Sequence, residues 1–278
     1  MAEPARNMTL DELLAQPKAL PAAPSVASRL IQTLDDPDAD LDSLAGLIET
    51  DPVLTAKIMR QANSAFFGLL RPVKHPRDAI AMLGLVKVRA MALAALLQDG
   101  FSNTPGMDLE QFWRYSLTTA NLARYVAAPL GVDDSAVYTV GLIHGIGELV
   151  MHVGMPGVMA EMDAKVSPFD LRRARVEEAQ LGYHYAAVGA KLADQWRFPK
   201  RMVVGLETHL APFDGSVIEP IAAVVHLAAW RARVEFSDIH ISDRIASYPD
   251  AVGVALGVDP DAISGDHIPA LQFARAAL

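Results

Sequence analysis

The sequence contains no cysteine in its 278 residues. Disulfide bonds, thiolate metal sites and cysteine nucleophiles are therefore excluded. Aromatic residues are also scarce, at 6%, whereas hydrophobic residues make up 51% and charged residues 21% of the chain. This balance is typical of a globular protein with a sizeable core and not of a disordered chain.

An excess of basic charge is also missing, because the formal net charge is −9. Such a chain repels nucleic acid and anionic membrane surfaces, so we expect neither as a partner, and a helix-turn-helix function is disfavoured. The densest basic run is "LRRARVEE" at 171–178, where two glutamates follow three arginines. This run predicts a solvated helix face.

Long apolar runs are absent too. The most apolar long segment is Val217 to Val234, and four polar side chains interrupt it: Glu219, His226, Arg231 and Arg233. This pattern predicts a buried helix and not a membrane span. The N-terminal residues have no apolar core after a basic start, so we expect no signal peptide and a cytoplasmic location.

Helical spacing of apolar residues dominates the chain, and strand-like alternation is almost absent. Leu41, Leu44, Leu47 and Ile48 form one apolar stripe, and Asp108 with Gln111 three residues later predicts a helix start. The prediction is an all-α fold of about 12–14 helices, with one or two around Gly84 and another over 135–153. Further helices are predicted near 157–165, 170–181, 185–196, 199–210 and 217–234.

The segment "GLIHGIGEL" at 141–149 carries the first chemical signal. A helix that ends in His followed by Asp is a common way to hold a divalent metal, but His144 is followed by Gly145. Further histidines lie at 184, 209 and 226, and imidazoles from several helices are plausible metal ligands if they converge. The sequence alone leaves open whether they bind metal or pack in a helical core.

Other motifs give weaker signals. The glycines after His144 lack the spacing of a phosphate-binding loop, and no G-x-S-x-G nucleophile motif is present. Lys57 and Arg60 lie three residues apart on one helical face in "DPVLTAKIMRQANSAFFG", where they could contact a phosphate or an acidic partner. The alternative is that this stretch is a signature of the fold.

The chain resembles the HDOD family, bacterial signalling domains related to the HD phosphohydrolases. The first lobe carries the resemblance in "LPAAPSVASRLIQTL", "DPVLTAKIMRQANSAFFG" and "DAIAMLGLVKVRAMAL", and the second in "FWRYSLTTANLARYVA", "VYTVGLIHGIGELV" and "HYAAVGAKLADQWRFP". The resemblance implies a two-lobed all-α fold whose second lobe is a degenerate HD-type bundle. The implied divisions are an extension 1–16, an HDOD domain 17–235 with lobes 17–103 and 104–235, and short C-terminal helices over 236–278 that pack on the second lobe.

The resemblance also indicates which metal ligands are missing. An HD enzyme would have His where this chain has Tyr115, Asp where it has Gly145, and Asp at Ala228 or Ala229. The histidines that survive at ligand positions are His144, His184 and His209. The partner of His209 is replaced by Leu210, and the lysine of the related HD-GYP motif "HDIGK" by Glu148. We therefore expect no metal, no cofactor and no catalytic residue.

Three functions follow as hypotheses. The leading one is a non-catalytic bacterial regulator that acts on other signalling proteins, in processes such as cyclic di-GMP signalling, with Lys57 and Arg60 as tentative contacts. The second is a nucleotide sensor that binds cyclic di-GMP or a similar ligand in the former catalytic cleft, near Lys191 and Arg201. The third is a residual metal-dependent phosphodiesterase. The oligomeric state and the role of 236–278 stay open.

Overall fold

The computed structural model describes residues 8–16, 25–33, 41–63, 73–214, 217–236, 243, 246–265, 268 and 271. Helix α1 (Leu10–Leu14) precedes the first lobe, and its buried residues Leu13 and Leu14 join the core of the second lobe. The first lobe contains α2 (Ser25–Gln32), α3 (Leu41–Glu49), α4 (Pro52–Ala62), α5 (Pro76–Leu83) and α6 (Leu85–Gly100). The next helices are α7 (Leu109–Ala127), α8 (Asp134–Ile143), α9 (Ile146–Gly154), α10 (Pro156–Asp163), α11 (Arg173–Leu181), α12 (Tyr185–Gln195), α13 (Lys200–Thr208) and α14 (Pro220–Phe236). The last are α15 (Asp250–Leu256) and α16 (Pro260–Ser264), and a two-residue antiparallel hairpin pairs β1 (Phe213–Asp214) with β2 (Val217–Ile218).

The predicted all-α fold is confirmed. The helices outnumber the 12–14 expected because some are very short: α1 and α16 have five residues each. The helix predicted over 135–153 is two helices, since the chain turns at His144 and Gly145. Gly84 likewise separates α5 from α6, with a φ of 86° that favours glycine. The predicted C-terminal region 236–278 lies partly outside the described residues.

Capping side chains explain where α7 and α8 start. The Asp108 carboxylate accepts a hydrogen bond from the backbone N–H of Gln111 at 3.0 Å, as the sequence predicts for the start of α7. Asp133 does the same for α8, accepting from Ser135 and Ala136. Helix α7 ends in a single 3-10 turn before Gly131, whose φ is 66°. Helices α7 and α8 thus have fixed ends.

Two apolar cores share α6 as their common wall. On one face, Val88, Ala92 and Leu96 join the core of the first lobe. On the other, Leu93 and Leu97 join the core of the second lobe. A helix that is apolar on both faces is expected to be buried between two layers. The lobe boundary between residues 103 and 104 stays a prediction. Helix α6, which contributes to both cores, ends shortly before it at Gly100.

Helix α9 crosses α12 at close backbone distance in the second lobe. A Cβ atom on Gly147 would lie 2.0 Å from the carbonyl oxygen of Tyr185 and 2.8 Å from the backbone nitrogen of Gly189. Both obstacles are backbone atoms, so they cannot move aside as a side chain would. The glycines of "GLIHGIGEL" therefore serve helix packing, since Gly141 likewise lies against the backbone of Ala120.

Among the described residues, 134–154 form a helical stretch that is long and apolar enough in total to cross a membrane. In the structure, 94% of its most apolar window is buried inside the molecule. Burial of this kind is expected of core helices in a folded domain. The stretch is therefore weak evidence for a membrane span.

We predict that Gly147→Ala lowers the free energy of unfolding by about 3 kcal/mol or more, because the new methyl group overlaps the backbone of α12. The matched control is Gly157→Ala in α10, where an added Cβ meets no atom within 4 Å in the part of the chain that the structure describes. That control should be neutral or stabilise by about 0.5–1 kcal/mol. Urea denaturation of both variants measures the difference, and equal stabilities would contradict the close crossing.

Candidate functional site

The candidate site lies where the ends of α8 and α13 meet α7, α12 and α14. His144 directly follows α8 and His209 directly follows α13. Each ring has its Nδ1 atom 2.7 Å from a backbone carbonyl three residues earlier, on Gly141 and Leu206 respectively. Since a carbonyl only accepts, Nδ1 carries the hydrogen in both rings. The Nε2 atom of each histidine is then a lone-pair acceptor that points into the site.

Two tyrosine hydroxyls donate to these acceptors. The hydroxyl of Tyr115 on α7 lies 2.7 Å from His144 Nε2, and that of Tyr185 on α12 lies 3.4 Å from His209 Nε2. The two histidine rings also contact each other edge to face, with centroids 5.6 Å apart. All four side chains are buried. The two tyrosine–histidine pairs therefore lie side by side in one site.

The guanidinium of Arg233 links the two tyrosine–histidine pairs. Its Nε and Nη2 atoms donate to the hydroxyls of Tyr115 and Tyr185, each at 2.9 Å, and Nη1 donates to the backbone carbonyl of Asp170 at 2.9 Å. Each hydroxyl accepts from the arginine and donates to a histidine. The direction of each of these hydrogen bonds is therefore fixed. The arginine cation donates to both tyrosine hydroxyls, and the hydroxyls donate to the two neutral imidazoles.

Burial keeps the histidines neutral. Desolvation lowers the pKa of His144 to about 3 and that of His209 well below its usual range. Desolvation also lowers the pKa of His226, whose Nδ1 atom lies 2.7 Å from the backbone carbonyl of His209. The Arg233 cation lowers all three pKa values further. Arg233 therefore carries the positive charge of this site at neutral pH.

These residues do not fit a divalent metal. A Cβ on Gly145 would lie 3.3 Å from Cε2 of Phe112, so the place of the bridging carboxylate is partly filled by an aromatic ring. The Nε2 atoms that would bind a metal are hydrogen-bonded to tyrosines, and a guanidinium would repel a dication. Within the described residues, no group of three or more His, Asp or Glu side chains could hold a metal ion. The surviving trio His144, His184 and His209 therefore forms no shared metal site.

The structure gives His184 a different role. It is the N-cap of α12, where its Nδ1 atom accepts a hydrogen bond from the backbone N–H of Ala187 at 3.3 Å. Ala228 and Ala229, at the position of the family's last aspartate, are both buried in α14. Neither alanine offers a ligand atom.

Sequence reasoning missed the central role of Arg233 and Tyr185. Arg233 lies four residues after Ala229, one turn further along the same face of α14. The available signal was a charged residue inside a helix predicted to be buried, because such a charge needs partners. Tyr185 gave no comparable signal, since a tyrosine in an apolar helix is ordinary.

The other predicted contact residues lie elsewhere. Lys57 forms an ion pair with Asp99 at 2.8 Å, and Arg60 is exposed on the same helix. Lys191 is exposed on α12, and Arg201 pairs with Asp133 at the surface. A cavity of about 280 Å³ lies beside Arg233, and neither Lys191 nor Arg201 is among the described residues that line it.

A second buried polar cluster surrounds Glu148, which replaces the lysine of the related metalloenzymes. The guanidinium of Arg173 contacts Glu148 through Nε at 3.2 Å and Nη2 at 3.1 Å, Glu177 at 2.7 Å and Asp163 at 2.7 Å. His152 lies 2.9 Å from the same aspartate. The prediction of a solvated face for "LRRARVEE" is therefore wrong for Arg173 and Glu177, which are fully buried.

The carboxylates that surround Arg173 affect the protonation of Glu148. Desolvation raises the pKa of Glu148 well above its usual value of 4.5, and the neighbouring charge of Glu177 raises it further. Glu148 is thus held in its protonated form over a wider pH range than an exposed glutamate. A protonated carboxyl beside Glu177 can donate a hydrogen bond to it, which relieves the repulsion between the two acids.

This cluster is connected to the candidate site through Tyr185. The Glu177 carboxylate accepts a hydrogen bond from the backbone N–H of Tyr185 at 2.8 Å, at the first turn of α12. A negative charge at a helix N-terminus is favourable. The same residue places its hydroxyl against Arg233. The backbone of Tyr185 is therefore fixed by one cluster and its side chain by the other.

We predict that Tyr115→Phe lowers the free energy of unfolding by about 1–3 kcal/mol, because His144 Nε2 and Arg233 Nε each lose a buried partner. The matched control is Tyr138→Phe on α8. Tyr138 is equally buried, but its hydroxyl has no hydrogen-bond partner among the described residues. Removing that hydroxyl should cost nothing or stabilise the protein. Chemical denaturation measures both, and equal losses would contradict the hydrogen bonds that join Arg233, Tyr115 and His144.

A second prediction concerns pH. Because the folded-state pKa of Glu148 is raised, its contribution to stability is complete below about pH 4.5 and is lost as pH rises through the folded value. Glu148→Gln keeps the neutral shape, so its stability relative to wild type should rise by about 1.4 kcal/mol per pH unit across that window. Glu161→Gln, an exposed carboxylate on α10, is the control. A flat difference for Glu148→Gln would show that Glu148 is ionised in the folded protein.

Comparison with known proteins supports the family expected from the motifs. The HDOD domain model matches residues 20–212. An uncharacterized protein of Treponema pallidum (strain Nichols) is 22% identical over 194 residues, which is 68% of this chain and 37% of that protein. The chain thus matches little more than a third of that relative's length, and the comparison carries no function across.

Solved structures agree on the fold. A "putative phosphohydrolase" from Shewanella amazonensis SB2B is 26% identical, with a TM-score of 0.75 over 96% of this chain and 98% of that one. An HDOD domain protein of unknown function from Geobacter sulfurreducens is 24% identical, with a TM-score of 0.72 over 96% and 91%. A "putative signal transduction protein" from Marinobacter aquaeolei VT8 is 22% identical, with a TM-score of 0.77 over 96% of this chain and 59% of that one. With a family model that matches more than half of its residues, the chain belongs to the HDOD domain family.

Proposed function

We propose that this protein is a non-catalytic regulatory module of bacterial signal transduction that acts in the cytoplasm through contacts with other signalling proteins. The observation that carries the proposal is the guanidinium of Arg233, bonded to Tyr115 and Tyr185 between the two surviving histidines. A signalling role is also in keeping with the name of the Marinobacter relative.

The chemistry of the site supports a loss of hydrolysis. Metal-assisted attack on phosphorus needs a cation that both binds and acidifies a water molecule. A guanidinium donates hydrogen bonds but has no open coordination position, and its pKa is too high for it to act as a general acid at neutral pH. The imidazoles of His144 and His209 are engaged by tyrosine hydroxyls through their Nε2 atoms.

A residual phosphodiesterase is the alternative, and the described Shewanella relative is the reason to test it. That protein is 26% identical to this chain, and its name describes that protein and not this chain. The phosphodiesterase reading requires His144 to bind metal. It therefore makes a prediction opposite to ours for substitutions at that residue.

Lys57 and Arg60 stay the proposed partner contact. Both lie on α4 in the first lobe, away from the Arg233 site in sequence, and Arg60 is exposed. Lys57 is partly exposed and forms an ion pair with Asp99, so a partner's carboxylate would compete with that pair. An acidic partner surface fits such a contact best.

The first arm of the test measures hydrolysis. Purified protein is supplied with Mn²⁺ or Fe²⁺ and assayed on bis-p-nitrophenyl phosphate and on cyclic dinucleotides, beside His144→Gln. We expect the two proteins to release product at the same rate, equal to the metal ions alone. Turnover that is present in wild type and lost in His144→Gln would establish the phosphodiesterase.

The second part of the test measures whether the protein captures a partner protein from its native host. Lys57→Gln combined with Arg60→Gln should lose the captured partner, whereas His144→Gln should retain it. Arg77→Gln, at another exposed arginine of the first lobe, is the matched surface control. Capture that is unchanged by the α4 substitutions would remove these residues from the interface. Capture that requires His144 instead would move the interface to the second lobe.

A further inference from the structure

The buried cluster around Arg173 contains a histidine whose hydrogen bonds define its protonation. The Nδ1 atom of His152 lies 2.7 Å from the backbone carbonyl oxygen of Glu148, and its Nε2 atom lies 2.9 Å from a carboxylate oxygen of Asp163. Both partners are acceptors, and imidazole is a stronger base than a carboxylate, so both ring nitrogens carry hydrogen. His152 is therefore an imidazolium, although its side chain is only 1% exposed.

The charges of this cluster balance when it holds one further proton. Arg173 and His152 supply two positive charges. The carboxylates of Glu148, Glu177 and Asp163 supply three negative charges when all are ionised. Unbalanced charge is costly inside a protein, so a buried cluster is most stable when it is neutral. A proton on Glu148 gives that neutrality, because two cations then face two carboxylates.

Other ionisable groups act on the cluster from outside it. The Arg233 cation on α14 favours the ionised form of Glu148, but burial and the charge of Glu177 outweigh it and raise the pKa of Glu148. Burial raises the pKa values of the tyrosines that interact with these two glutamates, which keeps them neutral: Tyr115, Tyr183 and Tyr185. The remaining charged side chains of α10, α11 and the loop between them are at least partly exposed: Glu161, Lys165, Asp170, Arg172, Arg175 and Glu178.

The cluster joins three helices to the connection between the lobes. Its side chains come from α9, α10 and α11. The segment 101–107, which follows α6 and contains the predicted lobe boundary, packs on the cluster at Gly106. A Cβ there would lie 3.8 Å from Cδ2 of His152 and 3.9 Å from Oδ2 of Asp163. The segment has no titratable side chain, so it adds no charge to this pair.

We propose that the Arg173 cluster (Glu148, His152, Asp163, Arg173 and Glu177) is a pH-sensitive switch that holds α10 and α11 against α9 and releases them as pH rises. In the closed state, Glu148 and His152 each hold a proton. In an open state, an exposed glutamate loses its proton above about pH 4.3 and an exposed histidine above about pH 6.5. The closed state therefore binds more protons, so a falling pH favours it and a rising pH favours opening.

Opening would affect two other parts of the molecule. The Glu177 carboxylate accepts from the backbone N–H of Tyr185, whose hydroxyl accepts from Arg233, so movement of α11 removes one of the bonds that hold Tyr185. The segment 101–107 would also lose the surface on which Gly106 packs. The proposal does not depend on the protein-contact function proposed above, because the cluster titrates with or without a protein partner.

The first measurement determines the protonation of His152 in the full chain. Nitrogen resonances of the ring are recorded by NMR on protein with ¹⁵N-labelled histidine and assigned through bonds to the backbone. We expect both ring nitrogens to carry hydrogen at pH 7. A neutral ring at that pH would overturn the proposal.

The second measurement follows opening by hydrogen exchange and mass spectrometry between pH 6.5 and 8.5. Each rate is divided by the intrinsic rate of an unstructured peptide at the same pH. Opening that releases one proton becomes about tenfold more favourable per pH unit, and opening that releases two becomes about a hundredfold more favourable. We expect corrected exchange in α10 and α11 to rise at least about tenfold per pH unit, and that in α7 and α8 to change less than about twofold. A flat profile in α10 and α11, or an equal rise in all four helices, would overturn the proposal.

Matched variants identify the titrating group. Glu148→Gln keeps the neutral shape but has no proton to release, so its exchange in α10 and α11 should rise less steeply with pH, by up to about tenfold per pH unit. Glu161→Gln on α10 and His75→Gln in the first lobe change exposed groups and should keep the wild-type slope. A wild-type slope in Glu148→Gln would contradict the proposal. The two wild-type measurements need no variant, so they decide the matter if Glu148→Gln does not fold.

Discussion

The hydrogen bonds of the Arg233 guanidinium to Tyr115 and Tyr185 are the interaction on which the second lobe depends. They link α7, α12 and α14, and the tyrosines extend the link to the histidines that follow α8 and α13. Burial of a permanent charge is costly unless its donors are satisfied. Here the two hydroxyls and the backbone carbonyl of Asp170 accept from it, so the helices that supply them must keep their positions.

The remainder of the lobe holds those acceptors in place. At Gly147, the backbone of α9 lies in close contact with the backbone of α12 at Tyr185. The backbone N–H of Tyr185 also donates a hydrogen bond to the Glu177 carboxylate, which holds Tyr185 in place. Phe112 fills space beside Gly145, where the related metalloenzymes have a carboxylate. The described part of the second lobe is thus organised around a monovalent cation supplied by its own chain. This organisation accounts for a stable HD-type architecture without the ligands of a metal site.

The sequence predicted what depends on local pattern. The all-α fold and the helix start at Asp108 follow from spacing and capping, and the structure agrees. The sequence left open one bent helix or two helices around Gly84, and the structure has two. It did not predict that Arg233 meets Tyr115, because 118 residues separate them and no local signal pairs them. The burial of Arg173 was missed for the same reason. Its carboxylate partners at 148 and 163 come from other helices, so the run of charges looked like a solvated face.

The central claim is that Arg233 has taken the place of a metal, and metal content tests it most directly. The protein is expressed with iron, manganese and zinc supplied, purified without chelator or His tag, and measured by inductively coupled plasma mass spectrometry. The account predicts well below one metal ion per chain. One or two metal ions per chain that are lost on His144→Ala would contradict it, since imidazoles engaged by Tyr115 and Tyr185 have no lone pair left to bind them.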